Sequence, residues 1–137
     1  MRVLAFFLDG EEYALDVADI VEVLRPRPVT EVPAQPGFIM GILCVNGEMI
    51  PVFDLRARLG LKGDARPYGR IIVAAADEQK AGLAVDGLLG VKEPPLRLFV
   101  PISQSEAGLN RGFFKGTFMD EGWNIRLLSA SGIIRLS

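Results

Sequence analysis

The fold is decided by the stretch FIMGILCVNGEMIPVFDLR, which covers residues 38–56. It contains two mainly apolar runs, residues 39–45 and 48–53, which are separated only by Asn46-Gly47. An Asn-Gly pair between apolar runs favours a two-residue type I′ turn, because both residues tolerate a positive φ. The stretch therefore predicts a tight β-hairpin.

Short elements are predicted along the rest of the chain as well. Asp54 is placed to cap a short helix over residues 55–59, and Gly60 is placed to end it. Residues 62–69 combine Gly, Asp, Arg and Pro with little apolar content, so we interpret them as a linker. Further strands are expected over residues 3–8, 12–16, 20–24, 70–75, 80–85, 88–92, 114–119 and 123–128.

The two halves of the chain resemble each other. Residues 14–26 align without gaps on residues 82–94, and residues 37–59 align on residues 112–134. Turns, proline stops and helix caps follow in the same order in both halves. The pattern indicates a duplicated unit of roughly 60 residues, a size that buries too little apolar surface to be very stable alone.

We therefore expect an all-β fold with short helices, in which two five-stranded β-barrels pack together along an apolar seam. The first subdomain is expected over about residues 1–62, the linker over about 62–69 and the second subdomain over about 70–137.

The composition excludes several classes of function. The sequence has no His and one Cys, so Ser-His-Asp triads, Cys-His dyads, His-based zinc sites and intrachain disulfides cannot form. With 15 Lys and Arg residues against 17 Asp and Glu residues, it lacks the positive charge of a nucleic-acid-binding surface. No glycine-rich phosphate-binding motif is present. We expect no cofactor and no metal.

No targeting or membrane-spanning segment is expected. The apolar run at residues 3–8 is too short for a signal peptide, and the run at residues 38–45 is far short of the roughly 20 residues that cross a bilayer. A single Cys fits a reducing compartment. We therefore expect a cytoplasmic protein that does not insert into the membrane.

The remaining reactive side chains are Cys44 and the carboxylates. Cys44 lies in an apolar strand and is expected to be a buried core residue. Asp54 and Asp86 are candidate paired carboxylates or Mg²⁺ ligands, although both also suit caps and turns. Together with Glu22 they leave a small enzyme or ligand-binding domain as a less favoured alternative.

The order of the motifs resembles the CheW coupling-protein family. That family's signature, approximately P-x-x-P-x-F-V-x-G-[VI]-[IL]-N-L-R-G-x-[IV]-[IV]-P-V-x-D-L-R, is similar to residues 32–33 followed by residues 38–56. Residues 19–23 resemble its V-x-E-V segment, and residues 82–86 resemble its G-x-x-V-D segment. The resemblance implies two SH3-like barrels and an adaptor without catalysis, which links the cytoplasmic tips of chemoreceptors to the regulatory domain of the histidine kinase CheA.

One position departs from the family's pattern. Where the family has Asn-Leu-Arg-Gly, this chain has Cys-Val-Asn-Gly at residues 44–47. In the family this Arg is associated with receptor contact and with an ion pair to the Glu that matches Glu22. Asn46 offers neither the charge nor the guanidinium, which leaves Arg25 and Arg56 as candidate partners of Glu22. Either Asn46 simply suits the turn, or the adaptor recognises an altered receptor or serves a kinase pathway outside chemotaxis.

Half of the residues are apolar, which is more than two small barrels can bury, so some apolar side chains are expected to be exposed and to bind protein partners. Under the family resemblance, the kinase's own SH3-like barrels dock end to end on these barrels, and the receptor tip lies between the two halves. Self-association is left open. The predicted protein-binding residues are Ile20, Val21, Glu22, Val23, Ile42, Val45, Asn46, Gly47, Leu88, Leu89 and Val91.

Overall fold

The computed structural model describes residues 1–33, 35–61, 67–103 and 112–136. In the first half of the sequence the strands are β1 (Val3–Leu8), β2 (Glu11–Asp16), β3 (Ile20–Leu24), β4 (Ile39–Val45) and β5 (Glu48–Asp54). In the second half they are β6 (Arg70–Ala76), β7 (Gln79–Val85), β8 (Gly87–Lys92), β9 (Phe99–Pro101), β10 (Phe114–Asp120) and β11 (Trp123–Leu128). Of the predicted linker at residues 62–69, residues 62–66 lie outside the described residues.

The helices within these ranges are short. They are α1 (Leu55–Arg58) and α2 (Ala130–Ile134), with 3-10 turns at Val17–Asp19 and Leu96–Leu98. None of the helices in the described ranges has the length and apolar character needed to span a bilayer.

The strands of the described residues form two sheets. One has the strand order β8-β1-β2-β11-β10-β9, and the other has the order β3-β6-β7-β5-β4. Neighbouring strands are antiparallel except in two pairs, β2 with β11 and β5 with β7, which are parallel. Each parallel pair joins a strand from one half of the sequence to a strand from the other half.

The two sheets therefore do not follow the two halves of the sequence. The β1–β2 hairpin of the first half lies between β8 and β11 of the second half, and the β6–β7 hairpin lies between β3 and β5. The expected assignment of one barrel to residues 1–62 and the other to residues 70–137 is thus corrected. The two halves thus exchange their first hairpins. Each of these hairpins pairs on both sides with strands of the other half of the sequence.

The exchange preserves the internal duplication. Replacing each strand by its repeat-related strand turns the order β8-β1-β2-β11-β10 into β3-β6-β7-β5-β4, which is the order found in the other sheet. Apart from β9, which adds a short sixth strand to one edge, the predicted fold class is confirmed: the chain is mainly β, with two SH3-like units and short helices.

The largest cluster of buried residues lies between the two sheets. It combines Phe6 and Leu15 of one sheet with Ile72 and Leu83 of the other, and α2 contributes Ile133. We call this cluster the seam. Two smaller clusters belong to the individual sheets; one contains Leu24, Leu43, Val45, Ile50, Val52, Ile71 and Val73, and the other contains Val3, Ala14, Phe118, Ile125 and Leu127. The seam is the apolar contact that two units of this size require.

The hairpin that was predicted from Asn46-Gly47 is confirmed. Val45 pairs with Glu48, and the two turn residues have φ values of 51° and 81°. A type I′ turn requires a positive φ at both positions. The hairpin therefore projects Asn46 at a defined place next to β3.

Candidate docking surface

A hydrogen bond joins the edge strand β3 to the β4–β5 turn. The side-chain amide of Asn46 donates to Glu22 Oε2 at 3.0 Å. Since β3 and β4 are the two outer strands of their sheet, this contact shows that the sheet curls until its edges approach each other. Leu24 of β3 and Leu43 of β4 share one buried cluster, which is consistent with the same curvature.

Glu22 thus has a different partner from the two considered in the sequence analysis. Arg56 contacts the carboxylates of Asp54 and Asp86, and no ion pair joins Arg25 to Glu22 in the described part of the chain. The residue that departs from the family pattern therefore itself binds Glu22, through a neutral amide. The sequence contained a signal for this contact, because position 46 aligns with the Arg that is associated in the family with an ion pair to the matching Glu.

The exposed residues of β3 are valines. Val21 and Val23 are 47% and 37% exposed. Val23 pairs with Ile72, a residue of the seam, whereas Glu22 pairs with Val73, which belongs to the cluster of the individual sheet. The predicted patch is therefore split between the two faces of the strand, with Val23 on the seam side and Glu22 on the side of the turn.

The edge strand β8 of the other sheet repeats this arrangement. Leu89 and Val91 stand at the positions that align with Val21 and Val23, and they are 47% and 53% exposed. Gly90 stands at the position of Glu22. The two edges thus share their exposed apolar side chains but differ in charge.

The other predicted docking residues vary in accessibility. Asn46 and Gly47 are exposed, Ile42 is half-buried, and Ile20 and Leu88 are half-buried against the seam. Val45 needs a correction, because its side chain is 8% exposed and belongs to the core. It supports the hairpin from within and is not accessible to a partner.

The prediction that Cys44 is buried is wrong. Residues of β4 alternate between the two faces of the sheet, and the buried positions are Gly41, Leu43 and Val45. Cys44 therefore faces outward, where it is exposed opposite Met49 on β5. A continuous apolar run does not reveal which of its residues face inward.

The candidate catalytic carboxylates, Asp54 and Asp86, both form ion pairs with Arg56. The Arg56 guanidinium lies 3.6 Å from Asp54 Oδ1 and 3.5 Å from Asp86 Oδ1. Asp54 also accepts a hydrogen bond from the backbone N–H of Arg56, which caps α1. One guanidinium therefore bridges the two carboxylates, so the cation between them is provided by the chain itself.

A third exposed apolar area was missed by the sequence analysis. Val100 on β9 and Met119 on the neighbouring strand β10 are 51% and 48% exposed, and Trp123 on β11 is 42% exposed. Val100 and Met119 border a shallow groove of about 310 Å³ that Arg126 also lines. The isolated aromatic and aliphatic residues of this part of the sequence gave no sign of which face they occupy.

Comparison by sequence and comparison by structure both find similarity to CheW proteins. A family model described as the CheW-like domain matches residues 2–137. The chemotaxis protein CheW of Rhizobium meliloti is 28% identical over 134 residues, covering 96% of this chain and 86% of that protein. The chemotaxis protein CheW of Thermotoga maritima is 36% identical over 90 residues, covering 66% of this chain and 60% of that protein.

Two further similarities extend this comparison. The protein FrzA of Myxococcus xanthus is 38% identical over 85 residues, which cover 61% of this chain and 52% of that protein. Among solved structures, the scaffolding protein TtCheW of Thermoanaerobacter tengcongensis superposes with a TM-score of 0.87 at 28% identity, covering 99% of this chain and 93% of that chain.

Proposed function

The chain belongs to the CheW-like domain family, and we propose on this basis that it is an adaptor that couples chemoreceptors to a CheA-type histidine kinase in chemotaxis signalling, without catalysis of its own. The observation that carries the proposal is the extent of the match. The family model covers residues 2–137, and the similarity to a known scaffolding protein covers 99% of the chain.

The edge strands support a role in binding proteins. Val21 and Val23 on β3, and Leu89 and Val91 on β8, expose apolar side chains at the ends of both sheets. Exposed apolar residues on a strand edge favour contact with another protein, since the contact removes apolar surface from water. We assign these edges to the barrels of the kinase regulatory domain, which would dock against them end to end.

The β4–β5 turn is assigned to the receptor. Asn46 and Gly47 are exposed there, and Glu22 lies beside them. Under this assignment the helical tip of a receptor contacts the turn and the adjacent margin of the seam, while the kinase occupies the outer strand edges.

Calorimetric titration against the regulatory domain of the cognate kinase tests the proposal. We expect saturable binding near one to one, which the double variant Leu89→Gln/Val91→Gln weakens. Val100→Gln serves as a matched control, because Val100 is equally exposed but lies at the opposite edge of the same sheet. Absence of binding by the wild-type protein would contradict the adaptor assignment.

A second candidate is a CheW-like adaptor in a kinase pathway other than chemotaxis. The observation that favours it is Asn46, because a neutral amide stands where the family has the Arg that is associated with receptor contact. Binding to the kinase domain together with no binding to any chemoreceptor tip of the same organism would support this second candidate.

A further inference from the structure

Glu22 differs from the other glutamates on the described strands. Glu11, Glu12 and Glu48 each have a cationic side-chain nitrogen within 3.2 Å. These cations belong to Arg126, Lys92 and Lys80, respectively. Glu22 accepts a hydrogen bond from the neutral amide of Asn46, and no ion pair to it occurs within the described residues. Among the strand glutamates of the described residues, Glu22 is therefore the one whose charge is not balanced by an ion pair.

The Glu22–Asn46 pair offers hydrogen-bond acceptors to a partner. The Asn46 amide engages Glu22 Oε2, which leaves Glu22 Oε1 and Asn46 Oδ1 as neighbouring acceptors. Asn46 is exposed, and the turn fixes its backbone at a φ of 51°. An arginine or lysine side chain carries the donors and the charge that such a pair of oxygens requires.

We propose that Glu22 and Asn46 form a specificity site that accepts one basic side chain from the receptor tip. This inference rests on the proposed function, under which the turn faces the receptor. An Arg at position 46 would neutralise Glu22 within the chain. Asn46 orients the Glu22 carboxylate without neutralising it, so the partner supplies the cation.

The duplicated fold provides an internal comparison. The β8 edge has the same pair of exposed apolar side chains, but Gly90 stands at the position of Glu22. A basic residue docking there would lose hydration without gaining a carboxylate, which is unfavourable. The charge of Glu22 therefore distinguishes the turn side of β3 from the aligned position on β8, and charge complementarity of this kind determines which partner binds in which orientation.

The test uses the full chain and a receptor-tip fragment from the same organism. Binding is measured by calorimetry at low and high salt for the wild type, for Glu22→Gln and for Glu93→Gln. Glu93 is an exposed glutamate next to β8, so Glu93→Gln removes the same charge elsewhere. We expect Glu22→Gln to raise Kd by about two- to fivefold and to reduce the salt dependence, because an exposed ion pair is lost. Glu93→Gln should leave Kd unchanged.

A second variant tests the same site without removing Glu22. Asn46→Arg places a cation next to Glu22 and repels a basic partner, so it should weaken binding to this receptor as Glu22→Gln does. Thermal melting of each variant checks that the fold is intact.

The outcomes separate this inference from the proposed function. If the wild type and Glu22→Gln bind the receptor tip equally, the specificity site is overturned while the adaptor role stands. The site is also overturned if Glu22→Gln weakens binding to the kinase domain and not to the receptor. If the wild type binds neither the receptor tip nor the kinase domain, the proposed function itself fails.

Discussion

The Arg56 guanidinium lies 3.5 Å from the carboxylate of Asp86, and these side chains are only 8% and 13% exposed. Arg56 belongs to α1, which follows β5, whereas Asp86 stands between β7 of one sheet and β8 of the other. Asp86 also accepts a hydrogen bond from the backbone N–H of Asp9, in the β1–β2 turn, at 2.8 Å. The ion pair therefore connects the two sheets at the margin of the seam.

Replacing Arg56 should destabilise the whole fold. Arg56→Met leaves the Asp86 carboxylate largely buried without the guanidinium, and loss of one partner of a buried pair costs about 3–5 kcal/mol of unfolding free energy. Urea unfolding measures the difference. The control is Lys80→Met, since the Lys80–Glu48 pair is exposed and should contribute less than about 1 kcal/mol. Equal losses in both variants would show that the Arg56–Asp86 pair is not a buried connection.

Replacing either of two repeat-related glycines by alanine should destabilise the fold. Gly41 and Gly116 have φ values of 154° and 157°, and an added Cβ would overlap the backbone carbonyl of Thr30 or Val100. Gly41→Ala and Gly116→Ala should each lower the unfolding free energy by about 2–3 kcal/mol, because the backbone must shift. Gly37→Ala is the matched control, since no atom lies within 4 Å of its Cβ position. Unchanged melting temperatures for both glycine variants would refute the close approach.

Cys44 and Val45 are neighbours on β4 but should differ in their exposure to a thiol reagent and in their contribution to stability. Cys44 is exposed, so its thiol should react with a thiol reagent in the native protein without denaturant. Val45 is buried, so Val45→Ala should lower the unfolding free energy by about 1–3 kcal/mol through lost burial and a cavity. Cys44→Ser, by comparison, should leave stability nearly unchanged. A thiol that reacts only after unfolding would place Cys44 in the core instead.

Position 46 should control receptor choice. For a receptor tip from a chemotaxis system whose adaptor has Arg at this position, Asn46→Arg should increase the affinity, because it restores the guanidinium. Asn46→Gly is the control, since it retains the turn but removes the side chain. Calorimetry with the three proteins compares the affinities. If Asn46→Arg and Asn46→Gly bind that receptor equally, Asn46 serves the turn and not recognition.

Much of the local structure could be predicted because its causes are local. The Asn46-Gly47 turn and the Asp54 cap depend on residues adjacent in sequence, and both occur where predicted. The duplication also emerged from the residues, since turns and caps recur in order. The exposed pairs Val21/Val23 and Leu89/Val91 were among the predicted docking residues, and their binding role remains a prediction.

The faces of the strands were less predictable. Cys44 and Val45 both lie in a continuous apolar run, and only alternation within the folded sheet shows that Val45 faces inward. The bulge in β3 lies between Ile20 and Glu22, and it likewise places these two residues on different faces, since Ile20 pairs with Ala74 and Glu22 with Val73. A bulge of this kind has no distinct signature in a short β-branched run.

By itself, the sequence determined the strands, turns, caps and internal repeat of this protein, because these depend on periodicity and on the backbone preferences of nearby residues. Only the tertiary structure decided that the halves exchange their first hairpins, through the parallel pairing of Tyr13 with Arg126 and of Phe53 with Leu83. It also decided that Asn46 binds Glu22 and that Arg56 binds Asp86. These contacts join residues that are distant along the chain, and their positions follow from burial of the shared seam rather than from any local pattern.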